Sequence, residues 1–494
     1  MLRPFAGYGP AVRREQVSAA LRRADAAVGQ GLERAVAAHH RRRLARIGQA
    51  PALAAPPGGW ADGGMPPRGG NSLEVLVDGS ESLPRIAEAI ESARSSVWLA
   101  GWHFSPGLRL RPDRRQTLRE LLAAAAERID VRVLAWAGAP LPLFHPDRRQ
   151  VQACRDELCR GTRVRVALDA RERPFHCHHE KLVIVDGSLA FVGGIDLTTY
   201  AGDRFDTSEH AARGSIGWHD ATTAIRGPAV ADVAGHFGLR WREVTGEELG
   251  EVPPPAPAGE VELQIVRTVP ERIYERLPRG EFTILESYVR ALRAARRLVY
   301  LENQFLWSPE LVAILADKVR RPPDPRFRLV VLLPARPNNG ADDTRGQLGV
   351  LAAADDGRGR FLACTLYQRG DDRCQVYVHA KIGIVDDAWL TVGSANLNEH
   401  SLFNDTEMNV VTHDEALARA TRLRLWSEHL ERPPEELGGD PAEIVDTLWR
   451  PLAIEQLERR HADRPLTHRL LRLPHVSRRS EALRGPINGL FVDG

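Results

Sequence analysis

The chain has 494 residues, of which 43% are apolar and 27% charged, and its formal net charge is only +2. A length beyond the roughly 250–300 residues that one core usually organises predicts two cores, or one duplicated core. The near-neutral balance excludes a protein built mainly to coat nucleic acid, and no run of about 18 apolar residues is available to cross a membrane.

In chain order, the first 70 residues hold eleven arginines against four acidic residues, with a helix predicted over Arg13–Arg46 and a Pro/Gly-rich stretch over Pro51–Gly70. A solvated helical extension is the expectation; contact with anionic lipid or nucleic acid is the alternative for an arm of that sign. The start lacks the apolar stretch and small-residue cleavage site of a secretory signal, so a cytoplasmic location, with peripheral contact at a membrane, is expected. Five cysteines are odd in number and scattered, which reads as reduced and structural.

A helical pattern over Leu83–Arg94 runs into the strand-like SVWLAGWHF, and Phe282–Arg297 runs into LVYLENQF. Val131–Trp136 and Leu329–Pro334 follow in matching places, and the Pro-rich EVPPPAPAGE (Glu251–Glu260) separates the two series. The repeated order predicts an internally duplicated α/β unit. It divides the chain into an extension (1–71), a first lobe (72–250), a linker (251–260), a second lobe (261–431) and a tail (432–494).

Two segments carry the chemistry. HHEKLVIVDGSLAFVGGIDL contains His179, Lys181 and Asp186, and VHAKIGIVDDAWLTVGSANL contains His379, Lys381 and Asp386. Each defining residue lies 200 positions after its counterpart, and Gly193 and Gly194 fall opposite Gly393 and Ser394. Lysine occurs only at Lys181, Lys318 and Lys381, so two of three are retained inside these segments of an otherwise arginine-based chain. One chance His-x-Lys-x4-Asp match has an expectation on the order of one in a hundred, so two in register are not coincidence.

Both segments read as β-hairpins, in which residues i and i+2 share a face, so each presents an imidazole and an ammonium together. Two such pairs supply an anion clamp, a nucleophile and an acid, the needs of phosphodiester cleavage without a cofactor or metal. His176, Cys177, His178 and His179 crowd together, but no second Cys/His cluster has ligand spacing, so no metal is assigned.

The two segments resemble the phospholipase D superfamily over roughly Ser72 to Val411. The resemblance implies an α/β fold of two duplicated lobes, each a central mixed β-sheet flanked by helices, related by a pseudo-two-fold axis with the active site at their interface. It implies His179 as nucleophile, His379 as general acid, Lys181 and Lys381 on the phosphate, and Asp186 and Asp386 completing the two motifs. It also implies Asn396 and Asp196 as polar contacts after the motifs, and Asp206 and Glu407 as the carboxylates that orient the histidines. Gly194, Ser394 and the triplet Glu302, Asn303 and Gln304 are further candidates for lining the substrate cleft. YLENQF and the GWHD…GPAV segment look like the phosphatidylcholine-type branch, although Gly217 stands where that branch commonly has proline.

The expected activity is hydrolysis or transfer of the phosphatidyl group of a glycerophospholipid, with water or an alcohol as acceptor. The alternatives are a cardiolipin synthase-like phosphatidyltransferase and a metal-independent nuclease; near-neutral charge disfavours the nuclease. An oligomer is not required to complete the site.

Overall fold

The computed structural model describes residues 27, 31, 33–141, 144–174, 176–200, 202–213, 215–338, 341–368 and 371–474. Strands of the first half are β1 (Arg68–Val77), β2 (Ser96–Gly101), β3 (Asp130–Trp136), β4 (Arg165–Asp169), β5 (Leu182–Val185), β6 (Leu189–Gly193), β7 (Gly217–His219) and β8 (Ala221–Arg226). Those of the second are β9 (Val261–Val269), β10 (Glu281–Phe282), β11 (Leu298–Glu302), β12 (Arg328–Leu332), β13 (Phe361–Gln368), β14 (Asp371–Val378), β15 (Ile382–Val385), β16 (Trp389–Gly393), β17 (Glu407–Thr412) and β18 (Leu470–Arg472).

Pairing follows one scheme twice. The first sheet has the order β4-β3-β2-β5-β6-β8-β1, with β2, β3 and β4 parallel and the remaining pairs antiparallel. The second repeats it as β13-β12-β11-β15-β16-β17-β9, again with its first three strands parallel. The halves are stitched by β1 pairing with β9, and by β7 running parallel to β14. The overall class is therefore a mixed α/β fold.

Period-two patterning explains why both faces are covered. Val97 and Leu99 of β2, with Val183 and Val185 of β5, pack on one side under the helices α1 (Asp78–Ser92) and α2 (Leu118–Ala126). Ala100, Leu182 and Ile184 face the other side and meet Leu263, Ile265, Met408 and Val410 from the second half. The same alternation sends Val299 and Leu301 one way and Leu298 and Tyr300 the other. Each fully buried Val, Leu or Ile stabilises by roughly 1.5–3 kcal/mol, so the shared apolar layer holds the halves in register.

The ends of the chain depart from the expected boundaries. The first strand begins at Arg68, inside the segment read as extension, and Arg68 and Asn71 already pair with β9. The described part of the predicted N-terminal helix, residues 33–46, is packed and not simply solvated: Arg43 clamps Glu271 (2.6 Å) and donates to Asn404 (2.8 Å), and Leu44 is buried in the second core. The part of that prediction before residue 33 lies almost wholly outside the described residues. The tail also joins the fold, because β18 covers the edge of β13 and Trp449 is fully buried. Bare edges and large indoles are costly to leave in water, which is why these segments are recruited. Residues 475–494 lie outside the described residues.

Candidate active site

Each hairpin brings its histidine to the same place. The residues before β5 meet the start of β17: the backbone N–H groups of His179 and Glu180 donate to the Thr406 carbonyl (2.9 and 3.1 Å). The residues before β15 meet the end of β7, where His379 and Ala380 donate to the His219 carbonyl (2.7 and 3.1 Å). The imidazoles of His179 and His379 end with ring centroids 6.5 Å apart and planes at 66°. That gap accommodates one tetrahedral phosphorus centre.

The carboxylates are exchanged between the halves. His179 Nδ1 lies 2.9 Å from Glu407 Oε1, and His379 Nδ1 lies 2.6 Å from Asp220 Oδ2. Glu407 thus occupies the expected orienting position, whereas Asp206 does not. Asp206 instead accepts from the Trp218 and Thr207 backbone (2.7 and 2.8 Å) and pairs with His210 (3.2 Å), so Asp220 stands where Asp206 was expected. Sequence reading missed Asp220 although it lies inside the quoted GWHD; the available signal was its place just before β8, matching Glu407 at the start of β17.

Gly194 and Ser394 serve those same carboxylates. A Cβ on Gly194 would meet Asp220 Oδ1 at 2.2 Å, so glycine is what leaves room for that side chain. Ser394 Oγ and Ser401 Oγ each donate to Glu407 at 2.5 Å. The contacts of Gly194 and Ser394 are thus with the carboxylates that hold the two histidines.

Lys181 donates to the His179 carbonyl (2.6 Å) and lies 3.3 Å from Asp196. Lys381 donates to the His379 carbonyl and lies 3.4 Å from Gln304 Oε1, which Asn396 Nδ2 also approaches at 3.3 Å. Gln304 is the only member of the ENQ triplet in this cluster. Glu302 turns into the interior, accepting from Tyr300 and pairing with His219 (2.8 Å) and His429 (2.9 Å). Asn303 Oδ1 accepts from the Phe305 and Leu397 backbone (3.1 and 3.0 Å). Strand alternation and the end of β11 decide this split.

Asp186 and Asp386 lie at the opposite ends of their hairpins, roughly 16 Å of strand from the lysines. Asp186 accepts from the N–H groups of Arg94, Ser95 and Ser96, and Asp386 from those of Arg296, Arg297 and Leu298, at 2.7–3.0 Å. Both have positive φ, 53° and 55°, which aspartate tolerates in tight turns. They fasten a helix–strand junction to the hairpin and touch no reacting group.

One wall residue had no sequence signal. Arg204 is buried with its guanidinium carbon 3.7 Å from the centroid of the Trp218 ring, and Trp218 in turn stacks on Tyr377 (4.9 Å) and lies 5.1 Å from His379. Arg204 Nε and Nη1 have no hydrogen-bond partner among the described residues. With Lys181 and Lys381 it brings positive charge to bear on His379. Burial, then Lys381, Arg204 and Lys181, hold the His379 imidazole well below its usual range. Burial, with a smaller push from Lys181, brings Lys381 down to about 7, and burial, with a smaller push from Asp405, brings Glu407 up to about 8.

Behind His379, Asp78, His210, His219 and Glu428 form a buried four-donor cluster with nitrogen–oxygen separations of 3.0–3.6 Å. The outer nitrogens face carboxylates, His219 Nε2 on Glu302 and His210 Nδ1 on Asp206. These four donors could hold a divalent cation. Burial opposes charge on His219, but Asp78 and Glu302 raise it well above the imidazole range.

Two comparisons bear on descent. Residues 289–427 match the family model described as cardiolipin synthase, PLD-like domain. Phospholipase D A of Dictyostelium discoideum is 25% identical over 471 residues, covering 75% of this chain and 36% of that protein. Both findings make this chain similar to members of the phospholipase D superfamily.

Within that superfamily, cardiolipin synthase A of Pseudomonas entomophila is 27% identical, covering 74% of this chain and 70% of that protein. The chain spans 36–62% of the length of three phospholipase D relatives, from Dictyostelium discoideum, Arabidopsis thaliana and Schizosaccharomyces pombe. The crystal structure of phosphatidylserine synthase from Haemophilus influenzae Rd KW20 has a TM-score of 0.49 at 13% identity, covering 85% of this chain and 98% of that one. No helix among the described residues is long and apolar enough to cross a membrane.

Proposed function

We propose that the chain is a phosphodiesterase that hydrolyses or transfers the phosphatidyl group of glycerophospholipids through a phosphohistidine. The observation that carries the proposal is the pair of imidazoles 6.5 Å apart, each bound through Nδ1 to a carboxylate from the other half. We read the two matching sheets as duplicated lobes related by a pseudo-two-fold axis, with the exposed Pro-rich stretch 251–260 as the spacer.

Nε2 of His179 attacks phosphorus, forming an N–P bond as the bond from phosphorus to the head-group oxygen breaks, and His379 passes that oxygen its proton. Water or an alcohol then attacks phosphorus, His379 takes its proton, and the N–P bond breaks. Lys181, Lys381, Arg204, Gln304 and Asn396 bind the phosphoryl oxygens. Because burial and the neighbouring cations hold His379 low, its role as acid draws on the negative charge of the bound phosphodiester. An anionic phosphodiester beside the ring raises the His379 pKa, which is the direction the general-acid role needs.

Phospholipid vesicles of defined head group, supplied with a primary alcohol and scored by mass spectrometry, test the reading. Head-group release and phosphatidyl-alcohol are expected from the wild type and from neither His179→Ala nor His379→Ala. Folded variants that turn over normally would sink the proposal. The cardiolipin synthase-like relatives favour a second reading, in which a lipid alcohol is the acceptor. Conversion of phosphatidylglycerol to cardiolipin and glycerol would select it.

A further inference from the structure

A third cluster lies beside the first histidine. His176 precedes His179 by three residues, while His400 is 224 positions further on in the π-helical turn His400–Asn404, so no sequence spacing joins them. The fold does. Cys177 N–H donates to Asp405 Oδ1 (3.0 Å), Thr406 N–H to the Cys177 carbonyl (3.2 Å), and the Asp405 N–H closes the turn onto the His400 carbonyl (2.8 Å).

These contacts set His176 Nδ1 2.9 Å from His400 Nδ1 and 3.3 Å from Asp405 Oδ1, with all three donors within 4.8 Å of one another. Two facing ring nitrogens can share only one proton. Asp405 is fully buried, and its second oxygen, Oδ2, has no hydrogen-bond partner among the described residues. A divalent ion with ligands at about 2.0–2.1 Å sets neighbouring donors roughly 3.0 Å apart in octahedral and 3.3–3.4 Å apart in tetrahedral geometry. The two separations measured from His176 fall close to those values.

We propose that His176, His400 and Asp405 form a binding site for a borderline divalent transition-metal ion of the zinc class, completed by water. Two imidazoles and one carboxylate disfavour calcium and magnesium, which take oxygen ligands. His176 keeps 16% of its side chain exposed, which provides the entry path and the position for water. Bound there, the ion would tie the segment entering β5 to the segment entering β17, three residues from His179 and two from Glu407.

The test uses the full chain, stripped with chelator and titrated with Co²⁺ as a spectroscopic stand-in and Zn²⁺ as the stabilising ligand. One equivalent of Co²⁺ should give visible d–d bands, and Zn²⁺ should raise the melting temperature. Both effects should persist in Asp78→Asn, which disables the separate cluster behind His379. They should weaken by more than about a hundredfold in His176→Gln and in His400→Gln, since losing a direct ligand costs more than losing a supporting contact. His176→Gln is at a partly exposed position, so its melt in chelator should match the wild type. Bands that survive in both histidine variants, or that vanish only in Asp78→Asn, overturn the proposal, as does a wild type that binds neither ion.

Discussion

Replacing Asp220 by asparagine tests the exchange of carboxylates across the halves. The 2.6 Å contact between Asp220 Oδ2 and His379 Nδ1 is a charge-assisted hydrogen bond, worth about 1.5–3 kcal/mol where it fixes the ring for proton transfer. At 1.36 kcal/mol per decade that predicts a fall in kcat of roughly 10- to 150-fold. An asparagine amide fits the same space but can present N–H where the imidazole needs an acceptor. The control is Asp206→Asn, in which the lost contacts are the Trp218 and Thr207 backbone N–H groups and His210. That variant should melt earlier, with kcat per folded molecule changed less than about threefold. Head-group release from phospholipid vesicles, normalised to folded protein by near-ultraviolet dichroism, reads both. Equal losses of kcat in the two variants, or wild-type turnover in Asp220→Asn, would falsify the assignment.

Burial brings the Lys381 ammonium down to about 7, so its charge is present below that pH and lost above it. In the free enzyme kcat/KM should fall as pH climbs through about 7, and Lys381→Arg, always charged, should lose that limb while keeping a lower plateau. An unchanged alkaline limb in the arginine variant counts against Lys381 as its source. Asp186→Ala and Asp386→Ala should each destabilise by about 1–3 kcal/mol in denaturant titrations, since each carboxylate holds three backbone N–H groups, with kcat within about twofold of wild type. Arg204→Met should raise KM for phospholipid by roughly 10- to 100-fold and kcat much less, with partial recovery in Arg204→Lys. A KM that stays put would show that the Arg204 guanidinium does not reach the substrate.

The repeated His-x-Lys-x4-Asp spacing, and the apolar order around it, are local properties of the chain. A strand's period-two alternation sets which residues share a face, so the two hairpins and the repeated order of strands around them were legible before any contact was known. Charge partners were not. Asp206 and Asp220 are both acidic, both lie between the motifs, and differ in role only because β7 ends beside His379 while the preceding loop turns toward His210. Glu302 and Gln304, two residues apart, diverge because one is still in β11 and the other is past its end. Alternation along one strand is a short-range steric fact that the sequence itself determines. Which carboxylate faces which imidazole depends on how two halves some 200 residues apart dock, and only burial of their common apolar layer decides that.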